Sequence, residues 1–362
     1  MSDQTIRAPQ TSPRVPRTRA ENEEPYLEVK DLQVQFPTAD GLVKAVQGLS
    51  YSLPLRRTLA IVGESGSGKS VSSMAVMGLH DRRTARISGS IKVGGKEIVG
   101  MSEKELKQHR GAQAAMIFQD PQSSLHPYFT VGDQIMEAYR AHHSVSKGKA
   151  KQRAIDMLGR VGIPNPKRRV DNYPHEFSGG MRQRAMIAMA LVNDPKLLIA
   201  DEPTTALDVT VQAQILDLIA DLQRDFGSAV VFITHDLGVV AEIADDIMVM
   251  YAGAAIEHGP VDKILGSPLH PYTWGLLESI PALTGEPTPL HPIPGSPPSL
   301  LAVPSGCAFH PRCEYRNRVA GDLCFTTRPD LVARTADQGR AARCHLRDPD
   351  QVFANEVLPR LP

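Results

Sequence analysis

The chain has 362 residues and lacks any long apolar segment. Its longest uninterrupted apolar run, Ala185–Val192, is far shorter than the ~20 residues needed to span a bilayer. Residues 1–24 are rich in Arg, Pro, Gln and Glu and have no apolar stretch of the kind found in signal peptides, so they predict a disordered tail. We therefore expect a protein that stays in the cytosol and does not itself cross the membrane.

An excess of charge of one sign is also missing. The 40 basic and 40 acidic residues cancel, so the composition indicates no overall basic surface, and no nucleic-acid partner is expected. Cysteine is absent from the first 306 residues. With 41% hydrophobic and 22% charged residues, the composition is typical of a globular protein large enough for more than one domain.

A glycine-rich segment of the form G-x-x-x-x-G-K-[ST] follows the apolar run Thr58–Val62, which predicts a strand, and precedes the helix-compatible stretch Ser70–Leu79. Its glycines leave backbone N–H groups free to converge on phosphate oxygens at a helix N-terminus. Lys69 would reach the β- and γ-phosphates, and the Ser70 hydroxyl would ligate Mg²⁺. The predicted nucleotide-binding residues are Gly63, Glu64, Ser65, Gly66, Ser67, Gly68, Lys69 and Ser70. Taken alone, the motif is compatible with GTPases, kinases and helicases as well.

Two adjacent acids follow a second predicted strand. The apolar run Leu197–Ala200 is typical of a strand buried on both faces of a parallel sheet, and it ends in Asp201 and Glu202. Ligands of open α/β sheets bind at this carboxyl edge. We expect Asp201 to hold Mg²⁺ through water and Glu202 to act as general base toward the attacking water.

Two further segments fit a phosphate site. Ser178, Gly179 and Gly180 precede the helix-compatible stretch Met181–Val192, so they present N–H groups and a hydroxyl at the positive end of a helix dipole. The same residues would serve as an ordinary helix N-cap. His235 follows the strand-like run Val230–Thr234.

In order and spacing these segments resemble the ABC transporter ATPase family, and the resemblance extends from Tyr26 to Leu265. It implies an α/β fold, an ABC-type nucleotide-binding domain with a RecA-like P-loop core, an antiparallel β lobe and a helical subdomain. The family signature is most often L-S-G-G-Q, and here it is F-S-G-G-M, starting at Phe177. In the family this segment closes on the γ-phosphate held by a second cassette, so a partner ATPase subunit is implied.

The resemblance also implies roles for single residues. Gln119 resembles the Q-loop glutamine, which approaches Mg²⁺ and the attacking water, while the segment after it touches the membrane subunits. Asp208, in Ala206-Leu207-Asp208, resembles the D-loop at the dimer interface. His235 resembles the switch histidine that contacts the γ-phosphate, and Phe36 occupies the place of an aromatic that stacks on adenine.

The composition changes after Pro268, and prolines crowd His291–Pro304, which predicts a linker into a C-terminal extension well separated from the nucleotide core. The sequence predicts a tail at residues 1–24, followed by an ATPase domain at 25–265 that includes a helical subdomain at 120–188. An extension at 266–350 and a second tail at 351–362 complete the predicted organisation.

The extension contains all the cysteines of the chain, which are Cys307, Cys313, Cys324 and Cys344. Disulfides are disfavoured because nothing directs the chain to an oxidising compartment. The gaps match neither the C-x₂₋₄-C pairs of structural zinc nor the common ferredoxin spacings. Spacing alone therefore indicates a metal ion or cluster without deciding between them.

The segments His270–Trp274 and Cys307–Cys313 resemble the C-terminal region of the oligopeptide/dipeptide permease ATPases, in which four such cysteines can bind a [4Fe–4S] cluster. Zinc and free thiols remain the alternatives. The resemblance implies an ATPase at the cytoplasmic face of the membrane that energises peptide import. Its implied partners are a related second ATPase, two transmembrane permease subunits and an extracytoplasmic substrate-binding protein.

Two other functions remain open at this stage. Related systems import nickel, glutathione or oligosaccharides, and cargo is chosen by other subunits. A soluble ABC protein acting on ribosomes or DNA is the alternative from another class. Such proteins generally have tandem cassettes or long coiled-coil insertions, and the sequence has neither.

Overall fold

The structure is a computed structural model, and it describes residues 24–120, 124–205, 207–280, 291–333 and 339–361. The predicted tail 1–24, apart from Glu24, lies outside the described residues. So do Ala206 of the D-loop segment and Pro121, which follows the Q-loop.

The strands form two sheets. Their bounds are β1 Leu27–Thr38, β2 Gly41–Leu53, β3 Thr58–Val62, β4 Arg86–Val93, β5 Lys96–Glu97, β6 Ala114–Ile117, β7 Leu197–Asp201, β8 Ala229–Thr234, β9 Asp246–Tyr251, β10 Ala254–Pro260, β11 Val332–Ala333 and β12 Ala341–Ala342. The antiparallel sheet has the order β2-β1-β4-β5, and the central sheet has the order β11-β12-β10-β9-β3-β8-β7-β6. Strands β6, β7, β8, β3 and β9 are parallel, so their carboxyl ends meet along one edge.

The α-helices surround these sheets. Their bounds are α1 Lys69–Val76, α2 Glu103–His109, α3 Val131–Arg140, α4 Lys147–Arg160, α5 Pro166–Arg169, α6 Gly179–Leu191, α7 Val209–Phe226, α8 Leu237–Ile243, α9 Val261–Gly266, α10 Pro271–Glu278, α11 Leu323–Thr326 and α12 Pro349–Val352. Helices α3 to α6 form the predicted helical subdomain. Among the described residues, no helix is both long and apolar enough to cross a membrane.

Three apolar cores hold the fold together. The first lies between the central sheet and helices α3, α4, α6 and α7. The second joins the antiparallel β lobe to the other face of the central sheet. The β lobe predicted from Leu27–Phe36 and Leu42–Leu53 is therefore confirmed, since β1 and β2 pair antiparallel and β3 coincides with the predicted strand.

The third core corrects the prediction of a separate extension. It packs Val62 and Tyr251 of the central sheet together with Trp274, Phe309 and Tyr315 from beyond Pro268. Strand β12 pairs with β10 and so extends the central sheet. The proline-rich stretch lies along the cassette, where the Leu300 carbonyl accepts a hydrogen bond from the Lys44 N–H over 3.2 Å. The stretch lies there because its apolar residues pack against a buried face of the cassette.

The segment expected as a C-terminal tail also differs. Pro349–Val352 is helical, and Phe353 and Val357 are 2% and 1% exposed within the third core. Burying two large apolar side chains stabilises a segment by roughly 1.5–3 kcal/mol each. Residues 349–357 are therefore part of the folded extension.

Glu257 of β10 is buried in this region, and its carboxylate accepts hydrogen bonds from the Leu269 N–H and the Thr273 hydroxyl. Burial raises its pKa from 4.5 to about 7. The folded state therefore binds more protons than the unfolded state between these pH values, and the free energy of unfolding falls as pH rises through this window.

We expect Glu257→Gln to remove this loss, which amounts to about 3 kcal/mol, because an amide can donate to Thr273 and accept from Leu269 without ionising. The measurement is chemical denaturation of both proteins from pH 4.5 to 8. Glu242→Gln, at an exposed position on α8, is the matched control and should retain the wild-type pH dependence. Parallel pH profiles for wild type and Glu257→Gln would contradict the assignment.

Candidate functional site

The loop between β3 and α1 has the shape of a phosphate cradle. Gly63 has φ 151°, and a Cβ there would lie 2.2 Å from the Met250 carbonyl oxygen. Gly68 has φ 100°, and its Cβ would lie 2.4 Å from the Ala45 carbonyl oxygen. Only glycine fits both positions. The buried Ser67 hydroxyl has no hydrogen-bond partner in the described part of the chain, which fits a loop built to bind an anion.

Lys69 lies inside this loop and is 5% exposed. Its ammonium donates hydrogen bonds to the Gly63 and Glu64 carbonyl oxygens over 2.7 and 3.0 Å. Burial lowers the pKa of Lys69, while the carboxylates of Glu202, Asp201 and Glu64 oppose this shift. The side chain is therefore a desolvated cation placed at the loop, as a phosphate contact requires.

Ser70 and Asp201 meet at the carboxyl edge of the sheet, where the Ser70 hydroxyl donates to the Asp201 Oδ1 over 3.1 Å. Asp201 is 6% exposed, and burial raises its pKa against the effect of this hydrogen bond. A hydroxyl and one carboxylate are oxygen ligands of the kind Mg²⁺ uses together with phosphate oxygens. The donor set therefore fits the magnesium that the phosphate loop requires.

Two of the predicted catalytic side chains and one further hydroxyl converge on the carboxylate of the third, Glu202. The Glu202 Oε2 accepts hydrogen bonds from Gln119 Nε2 over 2.9 Å and from the Thr205 hydroxyl over 3.0 Å. His235 Nδ1 lies 3.6 Å from Glu202 Oε1. Glu202 has φ 44°, a left-handed conformation that is uncommon for a residue with a side chain. Thr205 is the member of this group that the sequence analysis missed.

Within the signature segment, Phe177 is buried, whereas Ser178 and Gly179 are exposed at the start of α6. Ser178 is the N-cap of α6, and its hydroxyl accepts a hydrogen bond from the Met181 N–H over 3.3 Å. Asp208 caps α7 in the same way through the Val211 N–H over 3.0 Å. A Cβ on Gly180 would lie 3.0 Å from a Val211 methyl group, so the two caps are neighbours. Within the described ranges, no hydrogen bond or ion pair joins residues 178–180 to the phosphate loop of the same chain.

Phe36 is half-buried at the end of β1. Its ring packs edge-on against His80, with ring centroids 5.5 Å apart, and it also packs against the second core. His80 in turn contacts the Val71 carbonyl at the start of α1 over 2.8 Å. Phe36 is therefore near the phosphate-loop helix, and its proposed contact with adenine stays a prediction.

No disulfide joins the four cysteines, which lie close enough to influence one another. Burial, together with the charges of neighbouring cysteines, raises the pKa of Cys307 to about 11 and that of Cys313 to about 12. Backbone N–H groups two residues downstream, those of Phe309 and Tyr315, hydrogen-bond to these two sulfurs. The Leu346 N–H donates to the Cys344 sulfur over 3.5 Å in the same pattern. Among the described residues, however, no three His, Cys, Asp or Glu side chains form a group that could hold a metal ion.

The fold and the phosphate-binding site together define a P-loop ATPase cassette. The ABC transporter family model matches residues 46–205, and the model for the oligopeptide/dipeptide transporter C-terminal region matches residues 256–319. The chain is 53% identical over 322 residues to the oligopeptide transport ATP-binding protein OppD of Haemophilus influenzae, covering 89% of this chain and 97% of the relative. It is 52% identical over 303 residues to OppD of Salmonella typhimurium, covering 84% of this chain and 89% of the relative.

Among solved structures, the dimeric ATP-binding cassette MJ0796 bound to ADP and phosphate superposes with a TM-score of 0.59. This similarity covers 65% of the chain and 98% of the cassette at 24% identity, and it supports the fold alone. The chain belongs to the oligopeptide/dipeptide branch of the ABC transporter ATP-binding proteins. It is an ATPase that uses ATP and Mg²⁺.

Proposed function

We propose that the protein hydrolyses ATP to drive peptide import through a bacterial ABC transporter. The observation that carries the proposal is that one chain combines a complete nucleotide-binding cassette with a C-terminal region of the oligopeptide/dipeptide type. These two parts share one apolar core. Relatives that are about 50% identical to this chain over nearly their full length are named oligopeptide transport ATP-binding proteins.

Hydrolysis follows from the geometry at the carboxyl edge of the sheet. The N–H groups of residues 63–70 and the Lys69 ammonium would bind the phosphates, and Ser70 and Asp201 would hold Mg²⁺. When bound, the magnesium ion would supply positive charge that offsets the charge of the phosphates. Glu202 then accepts a proton from the attacking water, in a position that Gln119, Thr205 and His235 define.

Two chains are needed to complete the site. Ser178, Gly179 and Gly180 are at the surface together with Asp208, which suits a segment that closes on nucleotide bound by another cassette. The proposed partners are a related second ATPase, two transmembrane permease subunits and an extracytoplasmic binding protein. The protein would then bind peripherally at the cytoplasmic face of the membrane.

Peptide uptake tests the proposal directly. Cells in which this chain is replaced by Glu202→Gln should lose uptake of labelled oligopeptides, while cells with Glu242→Gln should retain it. Membrane subunits copurified with the wild-type chain should be identified by mass spectrometry. Loss of uptake of nickel, glutathione or an oligosaccharide with unchanged peptide uptake would assign another cargo. Copurification with ribosomes or DNA and no membrane subunit would reject a transport role.

We further propose that Cys307, Cys313, Cys324 and Cys344 ligate one [4Fe–4S] cluster that stabilises the extension. The confinement of all four cysteines to residues 307–344 supports it, as do the N–H groups that hydrogen-bond to three of the sulfurs, since such bonds favour thiolates. Protein purified without oxygen should be brown and contain about four irons per chain.

Cys313→Ser should lose the colour and the iron and should increase proteolysis within residues 305–346, because ligand loss removes folding energy from a metal-held segment. Ser305→Ala, a neighbouring change that leaves every thiol in place, should retain both. Colourless protein with one tightly bound zinc would replace the cluster by zinc. Protein with four titratable thiols and no metal after anaerobic purification would reject the site.

A further inference from the structure

Glu64 adds a negative charge to a loop that binds phosphates. The G-x-x-x-x-G-K-[ST] pattern does not specify this position, because the loop binds phosphate mainly through backbone N–H groups and Lys69. An unpaired carboxylate here would repel the phosphates of ATP, and it lies close to Lys69, whose ammonium donates to the Glu64 carbonyl oxygen over 3.0 Å. A cation that pairs with Glu64 would remove this repulsion.

Arg312 of the extension is that residue. Its Nη1 and Nη2 donate to the two carboxylate oxygens of Glu64 over 2.7 and 3.1 Å, which is a bidentate ion pair. The two residues are 248 positions apart in the chain. The Arg312 side chain is 6% exposed and the Glu64 side chain is 28% exposed, so water has only partial access to the pair.

The remaining donors of Arg312 are fixed by the proline-rich stretch and by aromatic residues. Its Nε donates to the Pro294 carbonyl over 2.7 Å, and its Nη2 also reaches the Gly295 carbonyl over 3.3 Å. The guanidinium lies 5.9 Å from the ring centroids of Tyr251 and Phe309. The side chain is therefore held in one orientation by groups of the protein itself.

The backbone of Glu64 is held from the same side. Its N–H donates to the Tyr272 hydroxyl over 2.9 Å, and Tyr272 is fully buried in the third core. The Tyr251 hydroxyl accepts a hydrogen bond from Arg312 Nη1 over 3.4 Å. Both the side chain and the backbone of one phosphate-loop residue are thus attached to residues outside the matched ABC domain at 46–205.

We propose that Arg312 is a positioning residue for nucleotide binding, which neutralises Glu64 and holds the phosphate loop in its binding conformation. Arg312 is located in the turn between Cys307 and Cys313, where its own N–H donates to the Phe309 carbonyl over 3.0 Å. Through this pair the C-terminal region contributes to the affinity of the ATP site. The proposal concerns the ATP site only and does not depend on the transported cargo or on the metal content of the cysteines.

The test measures the Kd of MgATP by calorimetry on the full chain in a Glu202→Gln background, which suppresses turnover. Arg312→Gln should raise the Kd about 10- to 50-fold, because it leaves the Glu64 charge unpaired beside the phosphates. Adding Glu64→Gln to Arg312→Gln should restore most of the affinity, since the uncompensated charge is then gone. A merely structural role would not produce this rescue.

Arg318→Gln is the matched control. Arg318 also makes a bidentate pair in the extension, with Glu356 over 2.6 and 2.8 Å, but this pair does not touch the phosphate loop. Its loss should leave the Kd within about twofold of the parent, in line with a solvent-exposed ion pair. Circular dichroism and thermal unfolding establish that each variant is folded.

Arg312→Lys keeps the positive charge but cannot form the bidentate pair of a guanidinium group. This variant tests the proposal if Arg312→Gln does not fold. It should raise the Kd severalfold. An unchanged Kd in a folded Arg312→Lys or Arg312→Gln protein would overturn the proposal. A raised Kd that Glu64→Gln fails to rescue would overturn it as well.

Discussion

Glu202→Gln should bind MgATP with nearly wild-type affinity and hydrolyse it ~10²–10⁴ times more slowly, the range typical for loss of a general base. The amide keeps the size of the side chain and retains an oxygen that can accept from Gln119 or Thr205, but it cannot take a proton from water. Turnover is measured as phosphate release by the chain copurified with its partner subunits. Affinity is measured by calorimetry on the same preparation.

Glu242→Gln on the exposed face of α8 is the control for this experiment and should hydrolyse ATP at the wild-type rate. Hydrolysis by Glu202→Gln within about threefold of wild type would show that another group accepts the proton. His235, 3.6 Å from the same carboxylate, would then be the first residue to substitute.

Lys69→Ala should weaken nucleotide binding itself. The ammonium is nearly buried and is held at the loop by two carbonyl oxygens, so its removal eliminates a desolvated charge-assisted contact with phosphate. A hydrogen bond to a charged group contributes about 1.5–3 kcal/mol, so we expect the Kd for MgATP to rise about 10- to 100-fold. Equilibrium binding of labelled ATP to the full chain measures this change.

Lys196→Ala is the corresponding control. Lys196 precedes β7 at the opposite end of that strand from Asp201, and its ammonium donates to the Phe226 carbonyl over 3.1 Å. Its substitution removes a lysine of the same type without approaching the phosphate loop. Unchanged affinity in Lys69→Ala would mean that the loop N–H groups alone provide the binding energy.

Much of the cassette could be predicted from the sequence because local physical rules set it. The predicted bounds of strand β3 match the observed ones, since an apolar run that ends at a glycine-rich loop indicates where the strand lies. Ser178 and Asp208 cap the helices α6 and α7 because short polar side chains satisfy free N–H groups at helix starts. The sequence predicts that Ser70 and Asp201 both hold Mg²⁺, and the structure brings them within 3.1 Å at the same edge of a parallel sheet.

The proline-rich stretch His291–Pro304 differs from its prediction as a linker, because it packs along the cassette. A run of prolines excludes a packed helix, and this local property alone indicates a linker. Nothing local in the sequence shows that Leu300 and Ile293 pack against the third core or that β12 adds to the central sheet. Burial depends on which surfaces meet, and that is a property of the whole fold.

The amino-acid sequence by itself determined the chemistry of this protein, because phosphate binding, magnesium ligation and proton transfer each demand particular side chains at short, fixed spacings. Only the tertiary structure decided which distant residues share one site. It brought Gln119 and His235 to Glu202, and it placed Arg312 against Glu64 across 248 residues. The physical reason is that ion pairs and buried hydrogen bonds act over a few ångströms in space, whatever the separation of their partners along the chain.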